Sequence, residues 1–245
     1  MPKDYKDCVV LATSVAEGML RSGGEAYRAE ECCYNILKAC GAENISVVTI
    51  TTAILVSADI DGKHRTEIVS VKSRGTDLDG IERYNSISRR ICAGTLDIDG
   101  AFKEINKRRT LPAWQMLLFG ALSSTCFSFV FGGGFKELLP AFITATITNL
   151  FLLFANKIKS NSIISTMVAC MITAAVARLA VWLFPSLNQE AIIVGGIVSM
   201  LPGLALTNAL RNTIHGDIIS GLARGAEALL TAISIAAGVV IVLSI

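Results

Sequence analysis

The sequence predicts an α-helical polytopic membrane protein, with five transmembrane helices and an N-terminal α+β cytoplasmic domain. The first observation is an uneven distribution of charge: residues 1–112 carry 32 charged side chains, and residues 113–245 carry only 10. The second is the composition of the second part, which contains five long apolar stretches. Over the whole chain 17% of residues are charged, against about 25% in an ordinary soluble domain. We therefore expect residues 1–112 to fold in water and residues 113–245 in lipid.

Composition excludes several other classes of protein. A formal net charge of +2 without a basic stripe argues against nucleic-acid binding. The seven cysteines have no CxxC spacing and only two histidines accompany them, so neither a zinc site nor a disulfide framework is predicted. The N-terminus lacks the apolar run of a secretory signal peptide. No metal, cofactor or catalytic residue is expected.

The cytoplasmic domain opens with two predicted helices. Apolar residues recur at i, i+3 and i+4 from Tyr5 to Met19, which places them on one helical face. Ser22-Gly23-Gly24 interrupts this pattern. A second helix runs from about Glu25 to Cys40, where Gly41 is a natural stop.

A small sheet and two more helices follow. The segment Ile45–Ile60 is rich in β-branched residues, and Thr51-Thr52 divides it into two strands. Asp61-Gly62 predicts a hairpin turn into a third strand at about 65–73. Apolar periodicity then indicates a helix over residues 81–91 and another that starts near Asp97. The predicted order is ααβββαα.

Five apolar stretches in residues 113–245 have the length that a bilayer-spanning helix needs. Trp114 and Trp182 lie near stretch ends, as is typical of interfacial aromatic residues. We number the stretches as spans 1 to 5: Ala113–Phe131, Leu138–Ala155, Ile163–Phe184, Ala191–Leu210 and Ile218–Ile245.

Lysine and arginine near the span ends predict the orientation in the cell membrane. Residues 107–109, Lys157, Lys159 and Arg211 flank one side, and Lys136 alone flanks the other. The N-terminal domain is therefore expected in the cytoplasm, at the inner (cytoplasmic) membrane of the cell. With five spans, the C-terminus is expected outside.

Charged residues inside spans are costly, so they are candidates for function. Arg178 in span 3 either extends to the membrane surface or lines a polar path. Arg224 and Glu227 in span 5 have i, i+3 spacing and can neutralise each other. They form either a structural pair or part of a substrate or proton path.

Spans 4 and 2 contain further candidates. Pro202-Gly203 interrupts the middle of span 4, and broken helices of this kind bind substrates near the midplane of transporters. A packing kink is the alternative. Thr207, Asn208 and Arg211 follow the break. In span 2, Thr144 and Thr148 share a face, and Asn149 lies on the face of Ala141 and Ala145. These small and polar residues indicate close packing or a permeation path.

Several motifs in order along the chain resemble the threonine/serine exporter family. Residues 202–230 are similar to its pattern PG-x-x-x-TN-x-x-R, GD and SGLAR-x-x-EA. RSGGEAYRAEE at 21–31 resembles RSG-x-E-x-YR-x-E, and residues 73–94 resemble SRG…L…N-x-x-SR. The resemblance implies a functional role for a cytoplasmic-domain motif and for most of a substrate-path or gating set. Its members in that set are Pro202, Gly203, Thr207, Asn208, Arg211, Asp217, Arg224 and Glu227, and the polar residues of spans 2 and 3 add Asn149 and Arg178. The cytoplasmic-domain motif is Arg21, Ser22, Gly23, Glu25, Tyr27, Arg28, Arg74 and Gly75.

The resemblance is to the stand-alone, YjjP-like N-terminal half of the family, since full-length members continue with about five more spans. It implies a partner, a small YjjB-like membrane subunit of inverted topology, and a substrate site that the two halves share. The implied function is export of small carboxylates or amino acids, namely succinate, threonine or serine. A homo-oligomer is also possible, and the lipid bilayer is the expected environment.

Two other functions stay open at this point. The chain could be a membrane-anchored cytoplasmic enzyme or regulatory protein, for which the polar residues Arg21, Glu25, Arg28, Glu30 and Arg74 provide an exposed cluster. An interdomain salt-bridge network explains the same cluster. The chain could also be a scaffold without transport of its own. The absence of the GxxxxGK[ST] and GxSxG motifs argues against an ATPase and a serine hydrolase.

Overall fold

The computed structural model describes residues 5–72, 75–107 and 111–245. These residues form two compact units. The first contains the described residues up to 107 and a later segment, Gly203–Ala226. The second contains residues 111–202 and Glu227–Ile245. Each unit is described separately below.

The first unit has the predicted order of elements in its N-terminal part. Asp61 and Gly62 have φ angles of +50° and +71°, as a two-residue type I′ hairpin turn requires. The third strand begins two residues earlier than predicted and pairs Lys63 with Ile60 directly after this turn. The elements are α1 (Tyr5–Arg21), α2 (Ala26–Ala39), β1 (Glu43–Ile50), β2 (Ala53–Ile60), β3 (Lys63–Ser70), α3 (Leu78–Cys92) and α4 (Ile98–Ile105).

The strands form an antiparallel sheet in the order β1-β2-β3. Alternate residues of β2, from Ile54 to Ile60, are buried, and so is the facing side of α1 and α2. The largest fully buried side chains of this unit are Leu11, Met19, Leu20, Ile36, Leu37, Ile54 and Ile87. Large aliphatic side chains therefore form the core of this unit.

The second unit is helical in the residues that the structure describes. It contains α5 (Ala113–Val130), α6 (Leu138–Lys157), α7 (Ser162–Leu183), α8 (Gln189–Ile197) and a single 3-10 turn at Val198–Met200. The chain then enters α9 (Gly203–Ile214), which belongs to the first unit. Helix α10 (Ile218–Leu243) begins in the first unit and ends in the second.

Four helices of the described chain, namely α5, α6, α7 and α10, are long and apolar enough to cross a membrane. A fifth span results if α8 with its 3-10 turn and α9 are counted together across the break at Leu201–Pro202. The protein is therefore a multi-pass helical membrane protein with a small three-stranded sheet. The fifth span remains a proposal.

Candidate functional site

The polar face of α9 lies against the loop and first turn of α2. Asn208, Arg211, Asn212 and His215 have spacing i, i+3, i+4 and i+7, so they share one side of the helix. The Asn208 amide Nδ2 donates to the Gly23 carbonyl at 2.7 Å. The Ala26 backbone N–H donates to Asn212 Oδ1 at 3.3 Å.

Two further contacts complete this set. The rings of His215 and Tyr27 are stacked, with centroids 4.0 Å apart and an interplanar angle of 4°. The Arg211 guanidinium donates from Nη1 to Glu25 Oε1 at 2.5 Å. We call the contacts of Asn208, Arg211, Asn212 and His215 with residues 23–27 the α9 latch. The latch joins two of the motifs that carry the family resemblance, although about 185 residues separate them in the chain.

Burial differs between the two partners of the ion pair. Glu25 is only 5% exposed, whereas the Arg211 side chain is 54% exposed. The predicted exposed polar cluster consists of Arg21, Glu25, Arg28, Glu30 and Arg74, and the prediction is therefore wrong for Glu25. The reason is that α9, which is distant in sequence, covers this carboxylate.

The loop that the latch holds is fixed from its other side as well. Gly23 has a φ of +90°, and a Cβ there would approach the Gly75 carbonyl oxygen to 2.6 Å. The Gly75 amide donates to the Arg21 carbonyl and the Asp77 amide to the Ser22 carbonyl, each at 2.9 Å. This close approach explains why glycine occupies position 23.

Asp217 and Gly221 have local structural roles at the turn from α9 to α10. Asp217 Oδ1 accepts from the Ser220 amide at 3.1 Å, which is the contact of a helix N-cap. A Cβ at Gly221 would lie 2.1 Å from Thr213 Oγ1. The GD and SG pairs of the motif therefore allow a tight turn between the two helices.

Other predicted residues near the break make none of the contacts of the latch. The Thr207 hydroxyl is exposed and donates to the Gly203 carbonyl at 2.9 Å within its own helix. Pro202 directly precedes α9, where its missing N–H costs little. Along α10, Arg224 is buried and Glu227 is exposed.

The two predicted polar residues of spans 2 and 3 make their contacts within the second unit. Arg178 is exposed, and its Nη1 donates to the Val242 carbonyl at 2.9 Å. It therefore satisfies a carbonyl in the last turn of α10. The Asn149 side chain packs against Gly120, where a Cβ would lie 2.8 Å from Nδ2. The Asn149 Nδ2 group is buried and has no hydrogen-bond partner among the described residues.

The remaining residues of the cytoplasmic motif fall into different environments. Arg21 pairs with Glu17 at 3.2 Å on the surface of α1. Ser22 is buried. Arg28 lies on another side of α2, in a cleft against α3. Arg74 lies outside the described residues.

A cluster of buried hydroxyl groups surrounds α8 in the second unit. Gly195 packs on α5, since a Cβ there would lie 2.6 Å from Ser128 Cβ and 2.7 Å from the Ser124 carbonyl oxygen. Gly196 packs in the same way on Thr173 of α7 and lies near Thr144 of α6. We call Ser124, Ser128, Thr144, Thr148 and Thr173 the hydroxyl cluster.

The hydroxyl cluster is only partly hydrogen-bonded. Thr148 and Thr173 are 2.9 Å apart between their Oγ1 atoms. The hydroxyls of Ser124, Ser128 and Thr144 are buried and have no partner among the described residues. Unpaired polar groups in an apolar bundle are costly, so their position beside a broken helix points to function.

Glu137 was not identified from the sequence as a candidate functional residue. It lies in the connection before α6, where its Oε2 accepts from the Gly134 amide at 2.7 Å and its Oε1 from the Asn188 amide at 2.9 Å. The hydrogen bond from the Asn188 amide is the main reason why the pKa of this carboxyl lies below its usual range. Glu137 therefore joins the loop before α6 to the loop before α8.

Asn212 and His215 were missed as well, although their spacing from Asn208 was a usable signal. The hydroxyl cluster gave a weaker signal, because serine and threonine in apolar helices are common packing residues. No group of His, Cys, Asp and Glu side chains suited to a metal occurs in the parts of the chain that the structure describes.

Comparison with known proteins defines the class of this protein. The family model described as "Putative threonine/serine exporter" matches residues 10–245. The chain is 24% identical to a "Probable succinate transporter subunit YjjP" of Klebsiella aerogenes, over 96% of this chain and 92% of that protein. It is 25% identical to the protein of the same description in Escherichia coli, over 93% of this chain and 90% of that one.

A longer relative matches over less of its length. The chain is 25% identical to a "Probable threonine/serine exporter" of Mycobacterium tuberculosis, over 94% of this chain but only 45% of that protein. No solved structure matches the chain. The chain belongs to the threonine/serine exporter family, and the predicted family is confirmed. It is thus a transmembrane transport protein of an exporter family.

Proposed function

We propose that this chain is one subunit of a secondary exporter that moves small carboxylates or amino acids out of the cell, together with a second small membrane subunit. Family membership supports export. The chain covers nearly all of two relatives described as transporter subunits, which supports a partner. We propose a YjjB-like membrane protein as that partner, and succinate, threonine or serine as the substrates.

The observation that carries the proposal is the hydroxyl cluster around Gly195 and Gly196. These glycines occupy α8 shortly before the helix breaks at Leu201–Pro202. Three buried hydroxyls there have no partner within the described chain. A polar solute that passes through an apolar bundle needs hydrogen-bonding groups in place of water. We infer that the hydroxyl cluster contributes such groups, and that the partner subunit completes the path.

The α9 latch gives a role to the motif residues after the break. Because Arg211 already binds Glu25, we propose that Asn208 and Arg211 couple the cytoplasmic domain to the broken span. Arg224 and Glu227 remain candidates for the path itself. Pro202, Gly203, Thr207 and Asp217 shape the break and the turn, and Asn149 and Arg178 support the helices around them.

The proposed topology follows from charge near the span ends. With α8 and α9 taken as one broken span, the chain crosses the cell membrane five times. The N-terminal domain then lies in the cytoplasm and the C-terminus outside. Labelling with an impermeant reagent tests this topology, on Phe135→Cys and Lys157→Cys in a chain whose seven native cysteines are replaced. Reaction in intact cells is expected at position 135 and not at position 157.

The decisive experiment is counterflow in liposomes that contain this chain and its partner. The liposomes are loaded with unlabelled succinate, threonine or serine, and the same compound is added outside in labelled form. The substitution Thr144→Val removes an unpaired buried hydroxyl at nearly constant volume, so it should preserve folding. We expect it to lower the transport rate by about tenfold, the value of one hydrogen bond of about 1.4 kcal/mol.

Thr146→Val is the matched control. Thr146 lies on the same helix, but its hydroxyl already donates to the Phe142 carbonyl at 2.7 Å. Equal rates for both variants would argue against a path along the hydroxyl cluster. No counterflow of any loaded substrate would contradict the exporter proposal and favour the alternatives of an enzyme, regulator or scaffold.

A further inference from the structure

A polar cleft lies between α2 and α3 in the first unit, on α2 side chains that the α9 latch does not use. Its volume is about 400 Å³, within the range of about 300–1,000 Å³ that is typical of small-molecule sites. Each helix contributes polar side chains at helical spacing. They are Arg28, Asn35 and Lys38 from α2, and Asn85, Ser88 and Arg89 from α3.

The residues from α3 form one motif on one helical face. Asn85, Ser88 and Arg89 have spacing i, i+3 and i+4, so all three face the same side. They are the N-x-x-SR part of one sequence motif, and Arg28 ends the YR pair of another. The fold thus brings two motifs that lie about 60 residues apart to opposite walls of one cleft.

The three cations of the cleft have no ion-pair partner among the described residues. This differs from the next residue on α3, since Arg90 pairs with Glu104 at 2.8 Å. The lining contains one carboxylate, that of Glu31. Arg28, Lys38 and Arg89 with Glu31 therefore leave a net charge of +2 in the cleft.

Two thiols at the cleft do not reduce this charge. Burial raises the pKa of the Cys32 thiol, and desolvation likewise raises the pKa of Cys92. Both thiols are therefore neutral at physiological pH. The cleft offers two guanidinium groups, one ammonium group, two amides and one hydroxyl as hydrogen-bonding groups.

We propose that this cleft binds a small dianionic carboxylate. A guanidinium group pairs with a carboxylate through two parallel hydrogen bonds, so Arg28 on one wall and Arg89 on the other can each hold one end of the dianion. The side chains of Asn35, Asn85 and Ser88 supply the remaining polar contacts.

The cleft also shares α2 with the α9 latch. Glu25 and Tyr27 at the start of the helix contact α9, and Arg28 follows directly. A ligand that joins α2 to α3 would therefore stabilise the helix that bears the latch. This regulatory role in export rests on the proposed function, whereas the binding site itself does not.

The test is titration calorimetry with succinate on the purified full chain in detergent at neutral pH. Butyrate is the matched probe, since it has the same four carbons and only one carboxylate. We expect Arg28→Gln with Arg89→Gln to weaken succinate binding by at least about tenfold. The double variant Lys72→Gln with Lys103→Gln removes two exposed charges elsewhere, and it should bind as the unaltered chain does.

The variants Arg28→Lys and Arg89→Lys keep the charge and remove the planar fork, so an intermediate loss supports bidentate binding. A melting temperature for each variant shows whether it has folded. Equal succinate affinity in the unaltered chain and the double glutamine variant would overturn the proposal. So would no succinate binding, or butyrate binding as tight as that of succinate.

Counterflow with the partner subunit separates this inference from the proposed function. Transport by a complex whose chain does not bind succinate in the cleft refutes the site and leaves export intact. Binding that depends on Arg28 and Arg89, without transport of any substrate, refutes export and leaves the site intact.

Discussion

The two compact units bury different kinds of side chain. The core of the first unit contains large aliphatic residues such as Leu11, Ile36 and Ile87, all with no exposed surface. The interior of the second unit consists mostly of alanine, glycine, serine and threonine, for example Ala141, Thr144 and Ala174. Most of its large apolar residues point outward instead, as Leu150 and Trp182 do at 58% and 76% exposure.

Such a difference is typical of one core that forms in water and another that forms in lipid. In water, burial of a large apolar side chain is favourable by about 25 cal/mol per Å². In lipid that gain is missing, so helices associate through close packing of small residues and through hydrogen bonds. Burial of large aliphatic side chains therefore stabilises the first unit. Close packing of small side chains stabilises the second.

The largest expected effect comes from removal of a core side chain in the first unit. Ile36→Ala should destabilise it by about 2–5 kcal/mol, the cost of lost burial and a residual cavity. Leu150→Ala removes a similar side chain from the lipid-facing side of α6, and its cost should be within about 0.5 kcal/mol. Melting temperatures in detergent compare the two. Similar shifts in melting temperature for the two variants would show that the two units do not differ in the kind of side chain that stabilises them.

The opposite change tests the second unit. Gly195→Ala adds a methyl group 2.7 Å from the Ser124 carbonyl oxygen, so it should destabilise the packing of α8 on α5 by about 1–3 kcal/mol. Gly225→Ala is the control, because its nearest described neighbour is Ala209 Cβ at 3.9 Å. We expect a small gain there from helix propensity. A neutral Gly195→Ala would mean that close backbone approach is not required.

A smaller effect is expected at the α9 latch. Glu25→Gln removes the buried charge opposite Arg211 and should cost about 1–2 kcal/mol. It should also speed hydrogen exchange at the Ala26 amide, which Asn212 binds. Glu17→Gln breaks the exposed pair with Arg21 and should cost no more than about 0.5 kcal/mol. Unchanged exchange at Ala26 in Glu25→Gln would contradict the coupling role of the ion pair.

The smallest expected effect is a dependence on pH. Burial, with a contribution from Asp217, raises the pKa of Glu30. The folded state then binds a proton that the unfolded state has lost, so stability falls as pH rises from the ordinary glutamate pKa through the raised one. Glu30→Gln should flatten this slope in melting temperatures across weakly acidic pH. Glu43→Gln, an exposed carboxyl on β1, should leave it unchanged.

Sequence periodicity was sufficient for most individual elements. The hairpin at Asp61-Gly62 and the ends of α2 were predictable because turn residues and helix stops act within a few residues. The break at Pro202 was predictable for the same local reason. Four of the predicted spans, which correspond to α5, α6, α7 and α10, were visible from their length and lack of charge.

The contacts of the candidate site were harder to predict from the sequence than the individual elements were. Arg211 was assigned to the substrate path or gate, and nothing in the sequence indicated that its partner is Glu25, which is 186 residues earlier in the chain. Asn208 and Arg211 were identified, but Asn212 and His215 on the same face were not. Glu137 gave no motif at all, since its partners are backbone amides, which every residue except proline carries.

The sequence by itself determined most local elements, the apolar helices and the family, because composition, periodicity and motifs are properties of neighbouring residues. Only the tertiary structure decided which polar groups meet. The α9 latch, the hydroxyl cluster and the cleft between α2 and α3 each join segments that are far apart in the chain. Their distances depend on how helices pack, and side-chain packing is set by the whole unit at once.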